Sequence, residues 1–120
     1  MAIPSRVLSA GNSPLSSTTI CGDGATGLVA TGTTAADALQ LSAVFSSITT
    51  SSASTGVKLP PTEVGMVIGI RNDSGQTIAV YPYSTASTIN AAATSVNLAD
   101  AKTMLVFATS STKLASVTTA

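Results

Sequence analysis

The chain has 120 residues, of which 5 are basic and 5 acidic, with no histidine and a formal net charge of zero. Only 8% of its residues are charged, far below the roughly 25% of an ordinary soluble domain. That excludes electrostatic capture of nucleic acid, which needs Lys and Arg to displace counterions from phosphates. It also leaves little with which to build proton-transfer chemistry.

The apolar content is thinner than its total. Hydrophobic residues make up 44% of the chain, but 19 of them are alanine, which buries little area. There is no Trp, and there are only two Phe and two Tyr, so the side chains that bury most area apiece are scarce. Ser (18) and Thr (19) supply close to a third of the sequence. The composition describes a thin-cored domain with a hydroxyl-coated, nearly uncharged surface. Such a surface gives no charge repulsion between copies, and self-association adds buried area. A homo-oligomer is therefore expected, a trimer in preference to a dimer.

One cysteine, Cys21, cannot close an intrachain disulfide, and no histidine is present to activate its thiol. The first ten residues contain no continuous apolar run of signal-peptide length. The uncharged stretch from Ser74 to Ala99 is broken by Pro82, Asn90, Asn97 and many hydroxyls, which excludes a membrane span. Synthesis in a cytosol, without membrane association, is the expectation.

In chain order, residues 1–27 are punctuated by Pro4, Gly11, Pro14, Gly22, Gly24 and Gly27 and keep no period. They read as an extended N-terminal arm, and residues 28–120 as an antiparallel β domain. The arm carries Ile3, Val7, Leu8, Leu15 and Ile20, too many apolar groups for a solvated linker. These five are the candidate partner-binding residues, ordering on contact with another subunit or a larger surface.

From Leu28 onward, short β-rich runs alternate with turn signals, the pattern of a sandwich or barrel. Leu28–Thr31 is the first run. Ala38–Thr50 fits both periods: Leu39, Leu41, Ala43 and Phe45 alternate, while Leu41, Val44, Phe45 and Ile48 share a helical face. Thr34 and Asp37 have capping-box spacing, but the β-branched tail and dense hydroxyls favour strand. Val57–Leu59 is a short strand ended by Pro60 and Pro61. Met66–Ile70 and Thr77–Tyr81 flank Asn72-Asp-Ser-Gly75, which reads as a hairpin with Gly75 at positive φ. Short pieces follow at Thr88–Asn90 and Ser95–Leu98. Lys102–Ala108 and Lys113–Val117 form a final hairpin turning at Thr109–Thr112. Seven or eight short strands give an all-β fold, expected as a compact antiparallel β-sandwich or barrel.

No motif carries catalysis. Gly22-Asp-Gly-Ala-Thr-Gly27 spells the glycine pattern of dinucleotide sites but lacks the preceding strand, following helix and later acidic residue. Hydroxyl nucleophiles have no histidine to serve them as base, which leaves only Lys58, Lys102 or Lys113 for that role. Asp23, Asp37, Asp73, Asp100 and Glu63 stand singly, so neither a calcium loop nor a zinc site is formed. Each Asp reads as a turn or cap residue. Arg71 and Lys58 read as solubilising edge charges, and Tyr81 and Tyr83 beside Pro82 as structural, although they are the one pair that could offer a sugar platform. No enzyme, cofactor or metal is expected.

Several strings occur in a familiar order: Ala38-Leu-x-Leu-Ser-Ala43, Ile48-Thr-Thr50, Thr55-Gly-Val-Lys-Leu-Pro60, Gly65-Met-Val-Ile-Gly-Ile-Arg-Asn72, Ile78-Ala-Val-Tyr-Pro82, Thr88-Ile-Asn90 and Val106-Phe107. Over residues 30–117 the chain resembles a small β-module of virion proteins of tailed bacteriophages, among them head decoration (cement) proteins and head or tail fibre segments. That module often carries an aromatic near its end, where this chain has Leu114. The resemblance implies a structural virion protein on the exterior of the capsid, made in the host cytoplasm, with the major capsid (coat) protein as partner. The alternative it leaves is a receptor- or glycan-binding module of a fibre.

Overall fold

The computed structural model describes residues 10–11, 13, 22–91 and 94–120. Among these the fold is all-β. Its ten strands are β1 (Gly24–Val29), β2 (Leu39–Gln40), β3 (Phe45–Thr50), β4 (Gly56–Lys58), β5 (Val67–Asn72), β6 (Ile78–Tyr81), β7 (Thr88–Ile89), β8 (Val96–Leu98), β9 (Lys102–Ala108) and β10 (Lys113–Thr118). They form a six-stranded sheet in the order β1-β3-β5-β9-β10-β7 and a four-stranded sheet in the order β2-β4-β6-β8.

The expected antiparallel sandwich or barrel is not what forms. From β1 to β6 the chain alternates between the sheets, and each strand stacks in parallel on the one before it in its own sheet. Leu28, Ile48 and Asn72 line up across the larger sheet, and Leu39, Val57 and Val80 across the smaller. These are stacked coils of a β-solenoid. The chain then reverses: β8 pairs antiparallel with β6, β9 antiparallel with β5, and β10 antiparallel with β9.

The hairpin expected around Asn72–Gly75 is corrected by the same registers. β5 pairs with β3 and β9, while β6 pairs with β4 and β8, so the two flanking strands lie in different sheets. The turn chemistry itself is as read: Gly75 has φ +82, and the Asn72 side-chain oxygen accepts from Ser74 N at 3.1 Å. A turn motif fixes a change of direction, not the partner of the strand that leaves it. The last hairpin, β9–β10, forms as expected, with Thr109 N donating to Lys113 O at 3.0 Å.

Two boundaries also move. Ala38–Thr50 is not one strand but β2, a corner and β3, and the Thr34–Asp37 contact closes a turn without a helix. β1 begins at Gly24, inside the stretch read as arm. Its ladder shifts register twice, which spoils an exposed edge for pairing with other chains.

The core is one layer of aliphatic side chains between the sheets. Ile48, Ile68, Ile70, Met104, Val106 and Leu114 come from the larger sheet, and Val57, Ile78, Val80 and Leu98 from the smaller. Ser46 also points inward from β3, and its buried hydroxyl has no hydrogen-bond partner. Asn72 is fully buried and fully partnered. Its amide nitrogen donates to Gln76 O at 2.7 Å and Leu98 O at 2.9 Å. Its backbone carbonyl accepts from Ala101 N at 2.7 Å.

Replacing Asn72 by Ala strands those carbonyls without a donor, and urea unfolding should show a loss of about 3 kcal/mol. Gly32 has φ +71, and a Cβ there would run into the backbone of Asp37. Gly75 has comparable φ with open space around it. In the same assay Gly32→Ala should therefore cost about 2–3 kcal/mol and Gly75→Ala only about 1 kcal/mol.

Candidate functional site

Strand alternation gives the larger sheet an outer face as well as an inner one. Met104, Val106 and Ala108 of β9 point into the core, so Leu105 and Phe107 point out. Register then aligns Phe45 of β3, Gly69 of β5, Leu105 of β9 and Val117 of β10 in one row. Val67, Phe107 and Ala115 form a second row beside it. Phe45 is 52% exposed and Val117 61%, so this apolar surface faces solvent. The Phe45 ring lies over Gly69, where a Cβ would collide with it. A shallow groove of about 300 Å³ runs along this face, bordered by Phe45, Leu105, Arg71 and Thr103.

The charges around it are engaged. Arg71 forms an ion pair with Asp73 at 2.8 Å and donates to Ala101 O at 2.9 Å. The hydrogen bond to Asp73 raises the guanidinium pKa further. Arg71, which reads in the sequence as an edge charge, stands on β5, between β3 and β9. The other aspartates serve local structure, as their sequence context suggested. Asp23 accepts from Val44 N at 2.8 Å, and Asp100 accepts from Gly75 N at 2.8 Å. Gly22–Gly27, the string with dinucleotide-site spelling, opens β1.

The outer face of the smaller sheet differs in chemistry. Gln40, Lys58 and Tyr81 stand side by side across β2, β4 and β6. The Tyr81 ring passes over Gly56, 2.8 Å from where a Cβ would stand, and its hydroxyl donates to Thr33 O at 3.2 Å. Beyond the buried Pro82, Tyr83 is exposed, with the Lys58 ammonium 6.0 Å from its ring centroid. These residues, the 35–36 turn, Ser84, Thr85, Ser87 and Thr94 surround a pocket of about 290 Å³. Lys58 is thus a pocket residue on an inner strand, not an edge charge.

The arm residues Ile3, Val7, Leu8, Leu15 and Ile20, and Cys21, lie outside the described residues. Gly22, which follows them, would place a Cβ 3.7 Å from Val44 Cγ1 and 3.8 Å from Phe45 Cε2. The chain thus joins the fold beside the apolar row. Among the described residues, no three metal-binding side chains gather. No family model, curated protein or solved structure matches this chain.

The apolar row was open to sequence reading through one signal. Met104–Ala108 is apolar without alternation, which marks a strand apolar on both faces. The pocket had no such signal, because it joins four separate segments.

The turn that carries Ala35 and Ala36 to that pocket is closed by the Asp37 carboxylate. The Thr34 hydroxyl and amide donate to Asp37 Oδ1 at 2.7 Å and 2.8 Å and hold its carboxyl below its ordinary 3.8. A depressed folded pKa contributes stability above the unfolded value and loses it as pH falls through the folded one. Stability from this turn should be constant at neutral pH and fall only on the acid side. Asp37→Asn should flatten that acid limb in denaturant midpoints measured across pH.

Proposed function

We propose that the protein is a structural virion protein, a capsid decoration (cement) protein that binds the outer surface of a tailed-phage head as a trimer and stabilises it. The observation that carries this reading is the outward row Phe45–Gly69–Leu105–Val117, an apolar face on a rigid sheet. Exposed apolar surface of this kind marks contact with a partner. The neighbouring charges are bound internally, so the face meets its partner without desolvating free ions. The described chain begins its course through the fold at Gly22, beside Phe45, and the arm residues Ile3, Val7, Leu8, Leu15 and Ile20 are assigned to the same contact, on the coat protein or a neighbouring copy.

The test uses heads of the parent phage stripped of this protein. Purified full-length chain should bind saturably, with copies on the order of hundreds per head, and raise the temperature at which heads open. Leu105→Glu and deletion of residues 2–20 should each weaken attachment while circular dichroism stays unchanged. Saturation at only a dozen or two copies would instead support a fibre module. Undiminished decoration by both variants would overturn the assignment of the contact surface.

A further inference from the structure

We propose that the pocket on the outer face of the smaller sheet, built around Lys58 and Tyr83, binds an acidic saccharide. This goes beyond the decoration role and does not depend on it. A pyranose has an apolar C–H face and a rim of hydroxyls. Tyr83, 48% exposed, offers a flat ring for the first, and Ser84, Thr85 and Thr94 border the pocket with hydroxyls for the second. The volume of about 290 Å³ is at the small end of ligand sites and suits one or two sugar rings.

The charge of the ligand follows from Lys58. Among the described residues it is the one charged residue lining the pocket, and Arg71–Asp73 is the one ion pair. The ammonium is thus held near Tyr83 by a cation–π contact without a carboxylate to neutralise it. A sugar carrying a carboxylate would supply that partner while its ring stacks on Tyr83. Tyr81 forms the floor, fixed by its bond to Thr33 O and its packing over Gly56. Ser84 and Ser87 are placed by their own turn, where Ser87 N donates to Ser84 O at 3.0 Å.

The experiment titrates the full chain with methyl β-D-glucuronide and the methyl glycoside of N-acetylneuraminic acid. Methyl β-D-glucoside and sodium acetate serve as controls, and NMR follows the two tyrosine rings. Both acidic glycosides should shift the Tyr83 ring with millimolar dissociation constants, and the uncharged glucoside should bind about tenfold more weakly. Lys58→Gln should abolish that preference, and added salt should reduce it. Tyr83→Ala should abolish binding of both classes with the melting temperature unchanged; should it melt early, Lys58→Gln decides alone. The proposal fails if neither acidic glycoside shifts Tyr83, if acetate binds as well as the glycosides, or if Lys58→Gln keeps the preference.

Discussion

Asn72 holds the two sheets to each other. Its side chain is fully buried at the point where β5 leaves the larger sheet. One amide group there bonds the turn at Ser74 and Gln76 and the end of β8 at Leu98. Its own carbonyl takes the amide of Ala101, where the chain returns to the larger sheet as β9. Asp100 adds a parallel tie to Gly75 N. Two corners that each cross between sheets are thereby locked together. A core only one aliphatic layer thick has little capacity to define sheet spacing by packing alone. A satisfied polar network with fixed geometry supplies that definition.

Both outer faces use one further device. An aromatic ring on one strand lies over a glycine on its neighbour: Phe45 over Gly69 and Tyr81 over Gly56. The glycine removes the side chain that would lift the ring off the sheet, and the ring covers backbone that glycine would leave bare. With so few aromatics in the chain, these two rings each cover more than their own strand. The consequence differs by face. Phe45 remains apolar and outward and anchors a row of like residues, whereas Tyr81 turns its hydroxyl to Thr33 and leaves Tyr83 free beside Lys58.

Much of this was legible as strands and little of it as topology. The runs around β4, β5, β6, β9 and β10 were set by short β-rich stretches, proline stops and turn residues, and the β9–β10 hairpin followed from them. The corner at Asn72–Gly75 defeated the same reasoning, because an Asx turn with a positive-φ glycine serves a crossover as well as a hairpin. Parallel stacking is invisible to turn chemistry: Ile48 meets Asn72 through a register that no adjacent residue encodes. The apolar face was half legible, through the unalternating Met104–Ala108. Lys58 and Tyr83 are brought together by β4 and the segment after β6, and nothing near either residue announces the other.

The two candidate surfaces stand in a definite relation. Each belongs to the outer face of a different sheet, and the sheets face one another across the aliphatic layer. They therefore point away from each other. A partner covering Phe45, Leu105 and Val117 leaves Lys58 and Tyr83 toward solvent, and occupation of one surface does not obstruct the other. The charge distribution fits that division, since Arg71 on the apolar side is neutralised by Asp73 while Lys58 on the opposite side has no acidic neighbour in its pocket. In a protein with so few charges, the cation that the described residues leave beside an exposed aromatic ring sits on the face that docking through the larger sheet would leave free.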